Sequence, residues 1–181
     1  MRIASDTRHF TFIASCQPKP DIVLGDARLT IAKEPNDSFD LIVMDAFTSD
    51  AVPVHLLTRE AIQLFLDKVK PEGVVLLHIS NRYLDLESML GATAKTMHGV
   101  ESLMMVDDDA DGSYGQSSST VALFAKSKEA LAPFRDLKEA GPLPDKGFRA
   151  WTDEYSDILK PPLSRRGRFK QKVEEKAAIG R

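Results

Sequence analysis

The stretch Phe39-Asp40-Leu41-Ile42-Val43-Met44-Asp45 decides the fold. Leu41 to Met44 is an unbroken apolar run that ends on a carboxylate. A short run without polar alternation predicts a strand buried on both faces, as in a parallel sheet under helices. Asp45 then stands where that strand leaves the sheet, and in open α/β sheets ligands bind at the carboxyl ends of the strands. Ala46 to Val54 reads as a polar, small-residue loop that contains Asp50. Two carboxylates, Asp45 and Asp50, are therefore expected at the mouth of one site. An aspartate that merely ends a strand explains the same pattern, and the pattern alone does not choose.

Upstream, Asp21-Ile22-Val23-Leu24 is a strand candidate that runs into Gly25-Asp26-Ala27 and then a helix from Arg28. Asp26 reads either as the N-cap of that helix or as a carboxylate that accepts a hydrogen bond from a ligand at the strand end. Before it, Ile3, Phe10, Phe12 and Ile13 are candidates to cover an apolar surface. Downstream, Thr58 caps a helix in which Ala61, Ile62, Phe65, Leu66 and Val69 recur at helical spacing. Lys68-Val69-Lys70-Pro71-Glu72-Gly73 closes it. Gly73 to Ile79 is a second buried strand, with His78 near its end and Ser80-Asn81-Arg82-Tyr83 as the exit loop. Leu84 to His98 reads as a helix stopped by Gly99, with Met89 and Met97 as core filler.

Ser102 to Val106 and Ser119 to Ala125 are strands joined by a turn-rich link with no helix in it, so they must pair antiparallel. Asp107, Asp109, Asp111 and Gly112 fall at positions 1, 3, 5 and 6 of a calcium loop. Position 12 is Ser118, not the bidentate glutamate such a site needs, so a solvated hairpin tip is the better reading and no metal site is expected. Ser127 caps a helix to Lys138, Trp151 offers an aromatic anchor, and Thr152 caps a short helix.

The chain has 181 residues, 43% hydrophobic and 28% charged, which suits one good-sized soluble core. Its net charge of −3 predicts no nucleic-acid partner. Residues 164–181 carry seven Lys or Arg against two Glu, a local +5 that leaves −8 on the rest. This basic tail is expected to be disordered, with the domain proper over 1–163. Cys16, the single cysteine, excludes an internal disulfide and fits a reducing, cytoplasmic setting. No apolar run approaches the roughly 18–20 residues that span a bilayer, so no membrane role is expected.

Strand–helix alternation followed by a hairpin predicts an α/β fold with a parallel sheet and an antiparallel end. This is the back half of the Rossmann-like methyltransferase architecture. Gly25-Asp26-Ala27, Phe39 to Asp45, Lys70-Pro71-Glu72-Gly73 and Trp151-Thr152-Asp153-Glu154-Tyr155-Ser156 occur in an order and spacing that resemble the spermidine synthase (polyamine aminopropyltransferase) family. The segments from Asp45 to Thr58 and from His78 to Tyr83 are similar to its bacterial spermidine synthase-like branch. The resemblance implies transfer of an aminopropyl group from decarboxylated S-adenosylmethionine, as co-substrate, to a diamine such as putrescine. It implies that Gly25, Asp26 and Ala27 hold the adenine end of the nucleoside and that Asp45 helps to deprotonate the acceptor amine. Asp50 matches a second, diamine-binding acid, five residues on instead of three. His78 stands where relatives carry Gln, and Tyr83 is a further wall of the acceptor pocket.

The sequence departs from that family in one respect. Relatives begin with a strand bearing a Gly-x-Gly-x-Gly turn and a strand ending in an acid that binds the ribose hydroxyls. This chain contains no Gly-x-Gly. The first two strands of the sheet are thus expected to be missing, which would bare a parallel strand edge. A truncated relative, a rearranged sheet, or completion by a second copy (a homodimer) or another chain each satisfies this. Two other functions fit the same fold: an S-adenosylmethionine-dependent methyltransferase, or a non-catalytic fragment or binding module.

Overall fold

The structure, a computed structural model, describes residues 6–16, 18–46, 53–81, 84–107 and 118–157. The basic tail 164–181, residues 108–117 of the hairpin link and Ile3 lie outside the described residues. The chain divides into two compact units, Met1–Lys33 and Glu34–Arg181.

The first unit holds two short helices, α1 (Phe12–Ser15) and α2 (Ala27–Ile31). Phe10 and Phe12 meet edge to face, with centroids 5.9 Å apart. Asp26 is the N-cap of α2: its Oδ1 accepts the Leu29 N–H at 3.0 Å, which satisfies one of the orphan donors of a helix start. Gly25 has φ +151°, and a Cβ there would press on the Thr30 methyl at 2.9 Å. The expected strand at residues 21–24 is not formed. The segment joins no ladder, and Ile22, Val23 and Leu24 are 44%, 69% and 73% exposed. A strand is a paired object, and this segment pairs with none of the described strands.

The second unit is a five-stranded sheet in the order β1-β2-β4-β3-β5. Its strands are β1 (Phe39–Met44), β2 (Val69–His78), β3 (Glu101–Asp107), β4 (Ser119–Ala125) and β5 (Ala140–Gly141). β1 and β2 are parallel, whereas β4 is antiparallel to both β2 and β3, so β3 and β4 form the antiparallel pair that the sequence requires. This is the mixed α/β sheet of the Rossmann-like methyltransferase type. β2 starts earlier than expected, at Val69. Phe39 pairs with Val69 and Leu41 with Val74, so Lys70-Pro71-Glu72-Gly73 is looped out between the two pairings.

Helix α3 (Arg59–Lys68) joins β1 to β2, α4 (Leu86–Lys95) joins β2 to β3, and α5 (Lys128–Arg135) follows β4. Thr58 caps α3 by accepting the Ala61 N–H at 3.2 Å, and Ser127 caps α5 through Ala130 at 3.3 Å. α4 is shorter at both ends than the apolar pattern suggests: Asp85 caps its start through the Ser88 N–H, and Thr96 is its C-cap.

Paired residues of neighbouring strands share a face, which locates the core. Ala130, Leu131 and Phe134 of α5 pack on Val74, Leu103, Leu123 and Ala125. The opposite face carries Ile42, Val75, Leu77, Ala122 and Phe124, all buried, with α3 against β2 and β4 and α4 against β3. β1 is therefore not buried on both faces, contrary to expectation. Ile42 and Met44 are buried, but Leu41 and Val43 are 52% and 54% exposed. By register they lie on the α5 side, beside Val74 and Leu76, and α5 rests on β2, β3 and β4 instead.

The segment after Trp151 also departs from its reading. Thr152 and Tyr155 close a tight antiparallel turn through two backbone bonds of 2.8 and 3.1 Å, not a helix. The N-terminus of α3 claims the segment instead. The Arg59 N–H donates to the Trp151 carbonyl at 2.9 Å, Glu60 accepts the Asp153 N–H at 3.0 Å, and the Thr58 hydroxyl donates to Asp153 at 2.7 Å. Trp151 itself is buried, as an anchor should be.

Candidate functional site

Parallel pairing of β1 with β2 brings the ends of both strands to one side of the sheet. Met44 lies opposite Leu77, so the next residues along, Asp45 and His78, emerge together. His78 Nδ1 is 2.8 Å from Asp45 Oδ1. The two side chains are 32% and 64% exposed, open enough for a ligand to reach the carboxylate. On the other side of the ring, His78 Nε2 is 2.8 Å from Ser80 Oγ. Ser80 Oγ in turn accepts the backbone N–H of Thr120 at 2.8 Å. The Ile79 N–H donates to the Thr120 carbonyl at 2.9 Å, which pins the same segment to β4. A row of four groups thus runs across β1, β2 and β4 and ends on Asp45.

The structure brings Asp45 and His78 together, which their separate positions in sequence did not reveal. Gly25, Asp26 and Ala27 belong to the first unit, where Asp26 caps α2. Asp50 and Tyr83 lie outside the described residues. Ser80 and Thr120 had no assigned role from sequence. One signal was available for Ser80: residues two apart in an extended segment project to the same side, so Ser80 belongs beside His78. Thr120 has no such signal, because it contributes a backbone group from a strand 40 residues away. Asn81, next along the chain, accepts the Leu84 N–H at 2.8 Å.

The rest of the unit offers a different kind of site. A cavity of about 430 Å³ is lined by Met89, Lys146, Arg149, Trp151 and Tyr155, among others, and does not include Asp45 or His78. The Arg149 guanidinium lies 3.8 Å over the Tyr155 ring, and Lys146 pairs with the buried Asp85. Burial pushes the Asp85 carboxyl up, but the Lys146 ammonium and the Ser88 backbone N–H outweigh it and hold the group below the usual carboxylate range. Among the described residues no group of three or more His, Cys, Asp or Glu is placed to hold a metal ion, and no helix is long and apolar enough to cross a membrane.

No family model and no curated protein sequence matches this chain. Solved structures do. A probable spermidine synthase from Corynebacterium glutamicum ATCC 13032 is similar, with a TM-score of 0.53 at 19% identity, over 88% of this chain and 62% of that one. A spermidine synthase in complex with the transition state analogue AdoDATO is similar with a TM-score of 0.51 at 15% identity, over 81% of this chain and 49% of that one. At such identities the likeness is one of fold: this chain has a spermidine synthase-like fold. It spans 62% and 49% of the length of those two proteins.

Proposed function

We propose that this is a polyamine aminopropyltransferase-like protein of the spermidine synthase type, in which Asp45, backed by His78, takes the proton of the acceptor amine. The observation that carries the reading is the 2.8 Å Asp45–His78 contact at the carboxyl ends of two parallel strands. An alkylammonium is no nucleophile until it loses a proton, and a carboxylate beside it both attracts the cation and accepts the proton. In the proposed step the acceptor nitrogen attacks the aminopropyl carbon that is bonded to the sulfonium of decarboxylated S-adenosylmethionine. The N–C bond forms and the C–S bond breaks, its electron pair passing to sulfur. The thioether nucleoside leaves, and the nitrogen's proton goes to Asp45.

In this reading Gly25, Asp26 and Ala27 hold the adenine, and Asp50, His78 and Tyr83 line the diamine site. Capping α2 does not disqualify Asp26, because two carboxylate oxygens together accept about four hydrogen bonds. The charge of −8 outside residues 164–181 favours a polycationic acceptor. A methyltransferase would use the same fold, but two acids on the acceptor side suit a cationic amine better than a neutral methyl acceptor.

The test is production of the thioether nucleoside from decarboxylated S-adenosylmethionine and putrescine. General-base assistance is worth about 10²–10⁴-fold, so Asp45→Asn should lower the rate at least 10²-fold, with its melting temperature unchanged. A stable Asp45→Asn protein with full activity removes Asp45 from the chemistry. A wild-type chain that neither turns over nor binds putrescine in calorimetry overturns the whole assignment.

A further inference from the structure

We propose that Ser80, oriented by the backbone of β4, is a positioning residue that acts with the Asp45 carboxylate to fix the tautomer of His78 and so holds the orientation of that carboxylate. The role given to the carboxylate rests on the function proposed above, but the tautomer follows from hydrogen-bond chemistry alone. The Thr120 amide can only donate, so Ser80 Oγ accepts from it at 2.8 Å. An ionised carboxylate can only accept, so the proton in the Asp45–His78 contact sits on His78 Nδ1. In a neutral imidazole the other nitrogen, Nε2, is then an acceptor, and the Ser80 hydroxyl is left to donate to it across 2.8 Å. Every donor in the row finds an acceptor in one direction only: Thr120 to Ser80, Ser80 to His78, His78 to Asp45. In the reverse tautomer Nε2–H would donate to Ser80 Oγ, the Ser80 hydroxyl proton would have no acceptor in the row, and two unprotonated acceptors would face each other between His78 and Asp45.

The placement makes this more than local satisfaction. Thr120 is buried and lies within the β4 ladder, so the anchor of the row is as rigid as the sheet. Asp45 stands beyond the end of β1, with its side chain 64% exposed, and without His78 its carboxylate would rotate freely about χ2. With Oδ1 committed to His78, Oδ2 is the oxygen presented to an amine. Partners that orient an imidazole typically change function by about 10–100-fold when removed, a magnitude measured at metal sites, and the same order is expected here.

The experiment reads the tautomer directly, by long-range ¹H–¹⁵N correlation of the His78 ring in the full ¹⁵N-labelled chain, at a pH where the ring is neutral. Wild-type protein should show a protonated Nδ1 and an unprotonated Nε2. Ser80→Ala leaves the Asp45 carboxylate alone to select the tautomer, so the Nε2-protonated fraction should rise, and Ser80→Thr, which keeps the hydroxyl, should restore the wild-type pattern. In the transferase assay Ser80→Ala should lower kcat about 10–100-fold with little change in KM for the amine, and Ser80→Thr should recover most of it. A protonated Nε2 in the wild type, which needs no variant to fold, overturns the proposal, as does an unchanged pattern in Ser80→Ala. The expected tautomer in a chain without turnover would uphold the positioning row and locate the failure in the functional assignment.

Discussion

At the scale of single residues, the pairing of Asp85 with Lys146 ties stability to pH. Asp85 is almost wholly buried, it caps α4, and its second oxygen meets the Lys146 ammonium. Its carboxyl is held below the usual range in the folded protein, so the folded state binds this proton less readily than the unfolded chain. The stability it contributes is fully present above the ordinary aspartate value of about 3.9. It is lost as pH falls through the lower folded-state value. Denaturant unfolding at neutral pH and near pH 3 should show that acid loss in the wild type and a smaller one in Asp85→Asn, which keeps a good cap. Lys146→Met should cost about 1–3 kcal/mol at neutral pH, because a buried carboxylate loses its partner. Equal acid sensitivity in wild type and Asp85→Asn would place the titrating group elsewhere. None of this was legible in sequence. Asp85 and Lys146 are 61 residues apart, and neither sits in a motif.

At the scale of elements, propensity and packing disagree at Gly91, in the middle of α4. Helix propensity alone favours Ala over Gly by about 0.8–1.0 kcal/mol. A Cβ at Gly91 would, however, fall well inside contact distance of the Pro144 carbonyl, which crosses the helix at that point. Overpacking of this kind costs about 1–3 kcal/mol, so packing wins, and Gly91→Ala should lower stability by up to about 2 kcal/mol in denaturant unfolding. A stabilised variant would mean that the Gly141–Pro144 segment yields easily. Elements whose signals are local were readable from the residues. Thr58 and Ser127 cap the helices they were expected to cap, and Asp26 takes the capping one of its two readings, whereas α4 stops at Lys95 with Thr96 as its C-cap, short of the expected stop at Gly99. Elements that depend on a distant partner were not readable. Residues 21–24 have the composition of a strand but no ladder to join. Thr152 has the look of a cap, but its segment is claimed by Glu60 and Thr58. The site divides in the same way. Asp45 and His78 were each visible as strand-end residues, while their contact required the β1–β2 register, and Ser80's anchor required β4.

At the scale of the whole molecule, the division between Lys33 and Glu34 makes a prediction about autonomy. The second unit keeps its own closures. The Lys68 ammonium, nearly buried, donates to the Glu34 carbonyl at 2.7 Å and to Asn36 Oδ1 at 2.8 Å. Both partners lie on the unit's own side of the boundary. A chain that begins at Glu34 should therefore retain a single cooperative unfolding transition by circular dichroism. A broad, non-cooperative melt would show that residues 1–33 are needed to hold the sheet together. The same experiment bears on the proposed nucleoside site, since Gly25, Asp26 and Ala27 leave with the removed segment while Asp45, His78 and Ser80 remain.

β1, with a hydrogen-bonded neighbour on one side only among the described residues, hands over directly to Asp45. His78 grows from a strand bonded on both sides. The carboxylate thus rides on the margin of the sheet and the imidazole on its interior, and the 2.8 Å between them is a gauge of how well that margin is seated. Whatever loosens β1, whether solvent, temperature or a substitution at Leu41 or Val43, is read out as a lengthening at the Asp45–His78 pair. Under the proposed function, chemistry at this end of the sheet would therefore depend on how firmly β1 is held by its one hydrogen-bonded neighbour among the described residues.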